Sequence, residues 1–172
     1  MVEYLAVVRF FHIISGILWI GLLYYFNFVQ VPSFPKMEAA ARSNAIMHLV
    51  PRALAWFRYT AFTTWAFGLL YFLTVALEVG MADYLASPAG KSILIGGVLG
   101  TIMFLNVWGI IWPNQKKIIA ATTETVTNQT PAPAEQPKWA RRALLASRTN
   151  TMLSIPMLFF MIASAHMGSL WG

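Results

Sequence analysis

The sequence predicts an all-α integral membrane protein: a four-helix bundle, up-down-up-down, with both termini on the periplasmic side of a bacterial inner membrane. Composition leads there first. Of 172 residues, 58% are hydrophobic and 10% charged, against roughly 45–50% and about 25% in soluble domains. Mean hydropathy is +0.62. Apolar segments are the second observation: they fall at about 5–28, 53–77, 92–112 and 149–171, each near the ~20 residues that a spanning helix needs. The third is charge. Lys36, Arg42, Arg52, Arg58, Lys116, Lys117, Lys138, Arg141, Arg142 and Arg148 sit beside or between segments on one side, against Glu38, Glu124 and Glu135. Arg9 and Lys91 face Glu3, Glu78 and Asp83 on the other. The positive-inside rule makes the basic side cytoplasmic.

Each element follows from local chemistry. The first segment has no basic leader and no small-residue cleavage site before Pro32, so it reads as a span, not a cleavable signal. Pro32 and Pro35 are expected to stop it, because each lacks a donor and restricts its predecessor. Residues 36–50 read as a short amphipathic surface helix containing His48, a polar ring at the interface. Pro51 suits the first turn of the second segment. Gly96 and Gly100 form a GxxxG in the third, a spacing that lets a neighbouring helix or a flat cofactor come close. The polar, Pro-rich 122–137 stretch marks a flexible cytoplasmic loop, drawn at about 113–148, with a basic amphipathic lead-in from Lys138 to Arg148. The whole chain, 1–172, reads as a single membrane domain whose first partner is the lipid bilayer.

With no cysteine, disulfides, thiolate metal sites and covalent c-type haem attachment are excluded. The net charge of +6 is distributed as topology requires, not gathered in a patch, so no nucleic-acid partner is expected. No phosphate loop, paired carboxylates or Ser-His-Asp pattern appears.

The chemistry lies with two histidines. An ionisable side chain in a span costs roughly 2.5–3.5 kcal/mol on insertion scales and is a functional candidate by default. His12 shares a helical face with Ser15, Gly16 and Trp19, where small residues leave room for something flat. The alternative is a neutral histidine hydrogen-bonded within the bundle. His166, near the end of the fourth segment, lies at a depth matching that of His12, both roughly 8–10 Å from the periplasmic face. Two imidazoles on antiparallel helices at one depth are what a bis-histidine haem b requires. Copper, zinc or two unrelated bundle histidines remain as alternatives, zinc being poorly served without Cys or an inward carboxylate. Arg9, one turn from His12, is placed either to meet a propionate or to snorkel to the interface. Arg58, about two turns into the second segment, is placed either to snorkel or to hold a cofactor or substrate anion. Met152, Met157, Met161 and Met167 read as core filler.

Four patterns then line up: Arg9, Phe10, Phe11 and His12 with Trp19, Gly21, Tyr25 and Phe26; Trp56, Phe57 and Arg58 with Thr64, Trp65 and Gly68; Asn106 with Trp112, Pro113, Asn114, Gln115, Lys116 and Lys117; and Pro156, Leu158, Phe159 and Met161 with His166. In this order they resemble the N-terminal membrane domain of the bacterial membrane-bound, cytochrome c-linked urate oxidase (urate hydroxylase) family. More loosely, the first pattern and Asn150 with Pro156 resemble the haem-binding bacterial protoporphyrinogen oxidase and copper-resistance-like membrane proteins. The resemblance implies a membrane redox protein in which His12 and His166 match family histidines and Arg58 a basic position. Longer members carry further membrane helices and a fused periplasmic cytochrome c. No CxxCH occurs in this chain, and the residues before the last helix, Ser147 to Asn150, are poorer in histidine than the family pattern. The expectation is therefore a haem b electron-transfer protein working with a separate periplasmic c-type cytochrome or within a larger respiratory complex. An oxidase acting on urate or a porphyrinogen, and a cofactor-free structural subunit, are the alternatives.

Overall fold

A computed structural model describes residues 2–171; Met1 and Gly172, the ends of the expected domain, lie outside the described residues. The chain is all helical, with no strand among those residues. We label the helices α1 (Val2–Lys36), α2 (Ala39–Val79), α3 (Met81–Ala86), α4 (Pro88–Asn128) and α5 (Gln136–His166), followed by a 3₁₀ turn at Gly168–Trp171. α1, α2 and α4 are long and apolar enough to cross a membrane. α5 falls short of them, since its apolar half includes Asn150, Ser154 and His166. Asn150 and Ser154 are fully buried, so they dilute the hydropathy of the sequence without facing outward.

α1 packs along α2, and α4 along α5, all antiparallel. The four helices share one core built from Trp19, Leu23 and Phe26, Leu54, Phe57 and Ala61, Met103, Val107 and Ile111, and Ala146 and Met157. Around it the outward faces carry Phe10, Ile17, Phe62, Val98, Leu105, Ile155 and Ile162, all exposed. Helices apolar on every side, with their polar groups turned inward, suit a lipid surround. Gly96 meets α5: a Cβ there would lie 3.1 Å from Met161 Cε and 3.4 Å from the Met157 carbonyl. The GxxxG face thus serves helix packing. α2 ends at Gly80, whose φ of 100° favours glycine, and the chain turns there into α3.

Three expectations are corrected. Pro32 and Pro35 do not stop α1 at residue 28; it continues to Lys36. A π-helical stretch at Tyr25–Gln30 precedes Pro32, and others at Ala45–Leu49 and Val107–Ile111 precede Pro51 and Pro113. A proline removes one N–H and its ring crowds the carbonyl four residues back; a wider π turn re-registers the ladder and lets the helix run on. By the same device residues 39–49 are the beginning of α2 and not a separate surface helix. Finally, the loop expected at 113–148 is mostly helix, with only residues 129–135 between α4 and α5. Ile118, Ala121 and Thr122 of α4 are buried, Gln136 Nε2 donates to Thr122 Oγ1 at 3.2 Å, and left-handed Gln129 (φ 54°) ends the helix. α5 accordingly begins well before residue 149 and closes at His166 instead of 171.

Candidate functional site

The α1 residues facing inward follow helical spacing: Val8, Ser15, Trp19, Leu23 and Phe26 are buried, and His12 lies on the same line, half-buried. α2 supplies its bed. His12 Nδ1 lies 2.8 Å from the Thr64 carbonyl. A carbonyl only accepts, so Nδ1 carries the proton and donates, which leaves the Nε2 lone pair available. No hydrogen bond engages Nε2 among the described residues. One turn on, Gly68 lies under the ring: a Cβ at this position would come within 2.9 Å of both Cε1 and Nδ1. Thr64 and Gly68 thus act as one unit at i and i+4, the first orienting the imidazole by its backbone and the second admitting it.

The seam continues towards the start of α1. Phe11 stacks on Phe67 with ring centroids 5.2 Å apart. Arg9 donates to Tyr71 Oη, its guanidinium 4.9 Å from that ring's centroid. Two turns in the other direction, buried Trp19 has an indole N–H with no acceptor among the described residues.

The structure places the other candidates apart from this seam. Arg58 is turned towards α4: its guanidinium lies 3.9 Å from the Trp112 ring centroid, 4.5 Å from Tyr59 and 5.6 Å from Trp108. Nη2 donates to Tyr59 Oη at 2.8 Å, while Nε is buried without a partner. Arg58 is six residues before Thr64, about 9 Å along the helix. His48 is exposed in the first part of α2, near the basic end of the bundle. His166 is the last residue of α5 and is exposed.

Contacts around the bundle give the level of each. Tyr24 meets Ser154 at 2.9 Å and Asn27 donates to Ser147 Oγ at 2.7 Å, so α1 and α5 run antiparallel and touch near the basic end. Next to the His12 seam, Trp65 Nε1 donates to Thr101 Oγ1 at 3.1 Å, and Gly100 faces Met157. From the Tyr24–Ser154 contact, His12 lies twelve residues back along α1 and His166 twelve residues on along α5, about 18 Å of helix in each case. Both histidines lie in the half of the bundle away from the basic end. Among the described residues no three of His, Cys, Asp and Glu come together. A bis-imidazole site asks for only two.

In the sequence Thr64 and Gly68 stand only as members of one of the four patterns, and nothing there shows what they hold. Their spacing of four was a visible signal; that the ring of His12 lay opposite them was not.

Fold and seam define an all-helical protein with three helices apolar enough to span a membrane and one imidazole held by its Nδ1–H. The urate oxidase N-terminal family model matches residues 66–172, more than half of the chain, and the protein belongs to that family. The match includes Gly68, the Asn106 to Lys117 pattern and the Pro156 to His166 pattern; Arg9, His12 and Arg58 precede it. No curated protein and no solved structure matches the chain.

Proposed function

We propose that this protein is a haem b electron-transfer module of a bacterial cytoplasmic membrane. All four long helices span the membrane with both termini periplasmic, and electrons pass from a membrane donor to a periplasmic c-type cytochrome or a larger respiratory complex. The single observation that carries the reading is the state of His12: a span histidine with Nδ1–H committed to the Thr64 carbonyl and Nε2 unengaged. Ligating imidazoles characteristically have their second nitrogen fixed in this way, which sets the tautomer and raises ligand basicity. Gly68 fits the group as well, because the imidazole lies where any side chain would collide.

Each residue has a definite part. The Thr64 carbonyl holds the His12 proton at Nδ1 and aims Nε2. Gly68 fixes how closely the ring approaches α2. His166, at the end of α5, is the second ligand, and Arg9, one turn from His12, is the cation available to a propionate. A haem held there supplies one-electron chemistry at the periplasmic side.

The test is a reduced-minus-oxidised visible spectrum of the purified protein. The reading expects a Soret band and a sharp α-band typical of two nitrogen ligands. A protein purified under haem-replete expression that shows neither band overturns it and leaves a structural subunit.

A further inference from the structure

A second site lies at the other end of the bundle. A cavity of about 670 Å³ opens where the basic ends of α1, α2, α4 and α5 converge, closed over by residues 132–134. Its size is within the range of small-molecule sites. Gln30 is eighteen residues from His12 on α1, about 27 Å along the axis, so this is not the histidine site.

The walls are apolar and aromatic, with Phe26, Phe34, Leu54, Phe57 and Ile111 among them. Gln30, Gln115, Gln136 and Ser147 bring polar side chains to the cavity, and of these Gln30 and Ser147 are buried. Gln30 is 8% exposed and its Oε1 has no hydrogen-bond partner among the described residues. A buried carbonyl oxygen left unpaired costs about 1–3 kcal/mol, so an occupant that donates to it is favoured. Ser147, 9% exposed, accepts from Asn27 Nδ2 through its oxygen, which leaves its hydroxyl hydrogen to donate. The two buried groups thus offer one acceptor and one donor on a mostly apolar lining. Among the described residues Arg42 is the one charged residue lining it.

A carboxylate or a phosphodiester cannot donate to Gln30. A neutral hydroxyl both donates and accepts, and a ring that bears it suits walls of phenylalanine. We propose that this cavity binds a quinol head group with its apolar tail, the hydroxyl donating to Gln30 Oε1 and accepting from Ser147 Oγ.

The test is equilibrium binding of decylhydroquinone and of its oxidised quinone to the full chain in lipid nanodiscs, corrected for partition into empty discs. The quinol is expected to bind about tenfold more tightly than the quinone, the ratio that one net hydrogen bond of about 1.4 kcal/mol gives. Gln30→Met removes the acceptor at similar volume and is expected to erase that preference. Ser147→Ala is expected to weaken quinol binding about threefold and serves as the second probe if Gln30→Met does not fold. Equal binding of the two redox forms, an unaltered preference in both variants, or uptake no greater than that of empty discs overturns the proposal. So does saturable binding of oleate alone, lost in Arg42→Ala, which would mark the cavity as a fatty-acid site.

Discussion

The α4–α5 seam and the α1–α2 seam both carry polar groups into an apolar bundle, but they dispose of them differently. Asn150, with no exposed surface, accepts from Asn106 Nδ2 at 2.9 Å and donates to the Met103 carbonyl at 2.9 Å. Ser154, equally buried, donates to the Thr151 carbonyl and pairs with Tyr24. That seam is closed upon itself, and such networks fix which helix packs on which and in what register. The α1–α2 seam is open. Its histidine uses one nitrogen and leaves the other free, in a region where an unused polar group is costly. Closed polar pairs in the bundle are scaffold; the open valence at His12 is what the proposed haem site rests on.

Variants at the closed seam separate these roles. Asn150→Leu removes both hydrogen bonds and strands the Asn106 amide, and should cost about 1–3 kcal/mol. The loss appears as a lower thermal midpoint in detergent, with the visible spectrum of the surviving folded protein unchanged. Gly68→Ala, at the open seam, forces a methyl into the His12 ring. Stability should fall by about 1–2 kcal/mol, and unlike Asn150→Leu the variant should also shift the Soret and α-bands. A Gly68→Ala protein with wild-type bands would show that the Gly68 contact does not govern the ring.

Tyr24→Phe tests the small end of the scale. It removes one interhelical hydrogen bond, for which about 0.6 kcal/mol is typical in membrane bundles, and calorimetry should find little more. Outside the spans, Tyr84 of α3 has its phenol pushed above the ordinary value of 10.0 by burial, with Tyr71 adding to the rise and Arg9 opposing it. The folded state therefore holds this proton more tightly than the unfolded chain. Its contribution to stability is complete below pH 10 and is lost as pH rises through the folded value. Tyrosinate absorbance should rise late for Tyr84, and Tyr84→Phe should remove that late component.

Much of this was legible in the residues. The cost of an ionisable group in a span made His12 conspicuous, and the apolar runs located the cores of α1, α2 and α4. What sequence could not show was continuity. Pro32 and Pro35 read as stops and Pro51 as the first turn of a new helix, and only the π turns before Pro32, Pro51 and Pro113 reveal helices that run through. The Thr- and Pro-rich stretch read as a loop because its helical part is held by α5, a partner distant in sequence. The Thr64 carbonyl is backbone, and no residue code announces which backbone oxygen a ring nitrogen will find.

The most direct test of the open-valence account is His12→Ala in purified protein, read by visible spectrum and repeated with added imidazole. The account predicts that the two-nitrogen α-band collapses and that imidazole, entering the space left by the ring, restores it. An α-band untouched by His12→Ala would contradict it, since the nitrogen that α2 leaves free would then hold nothing.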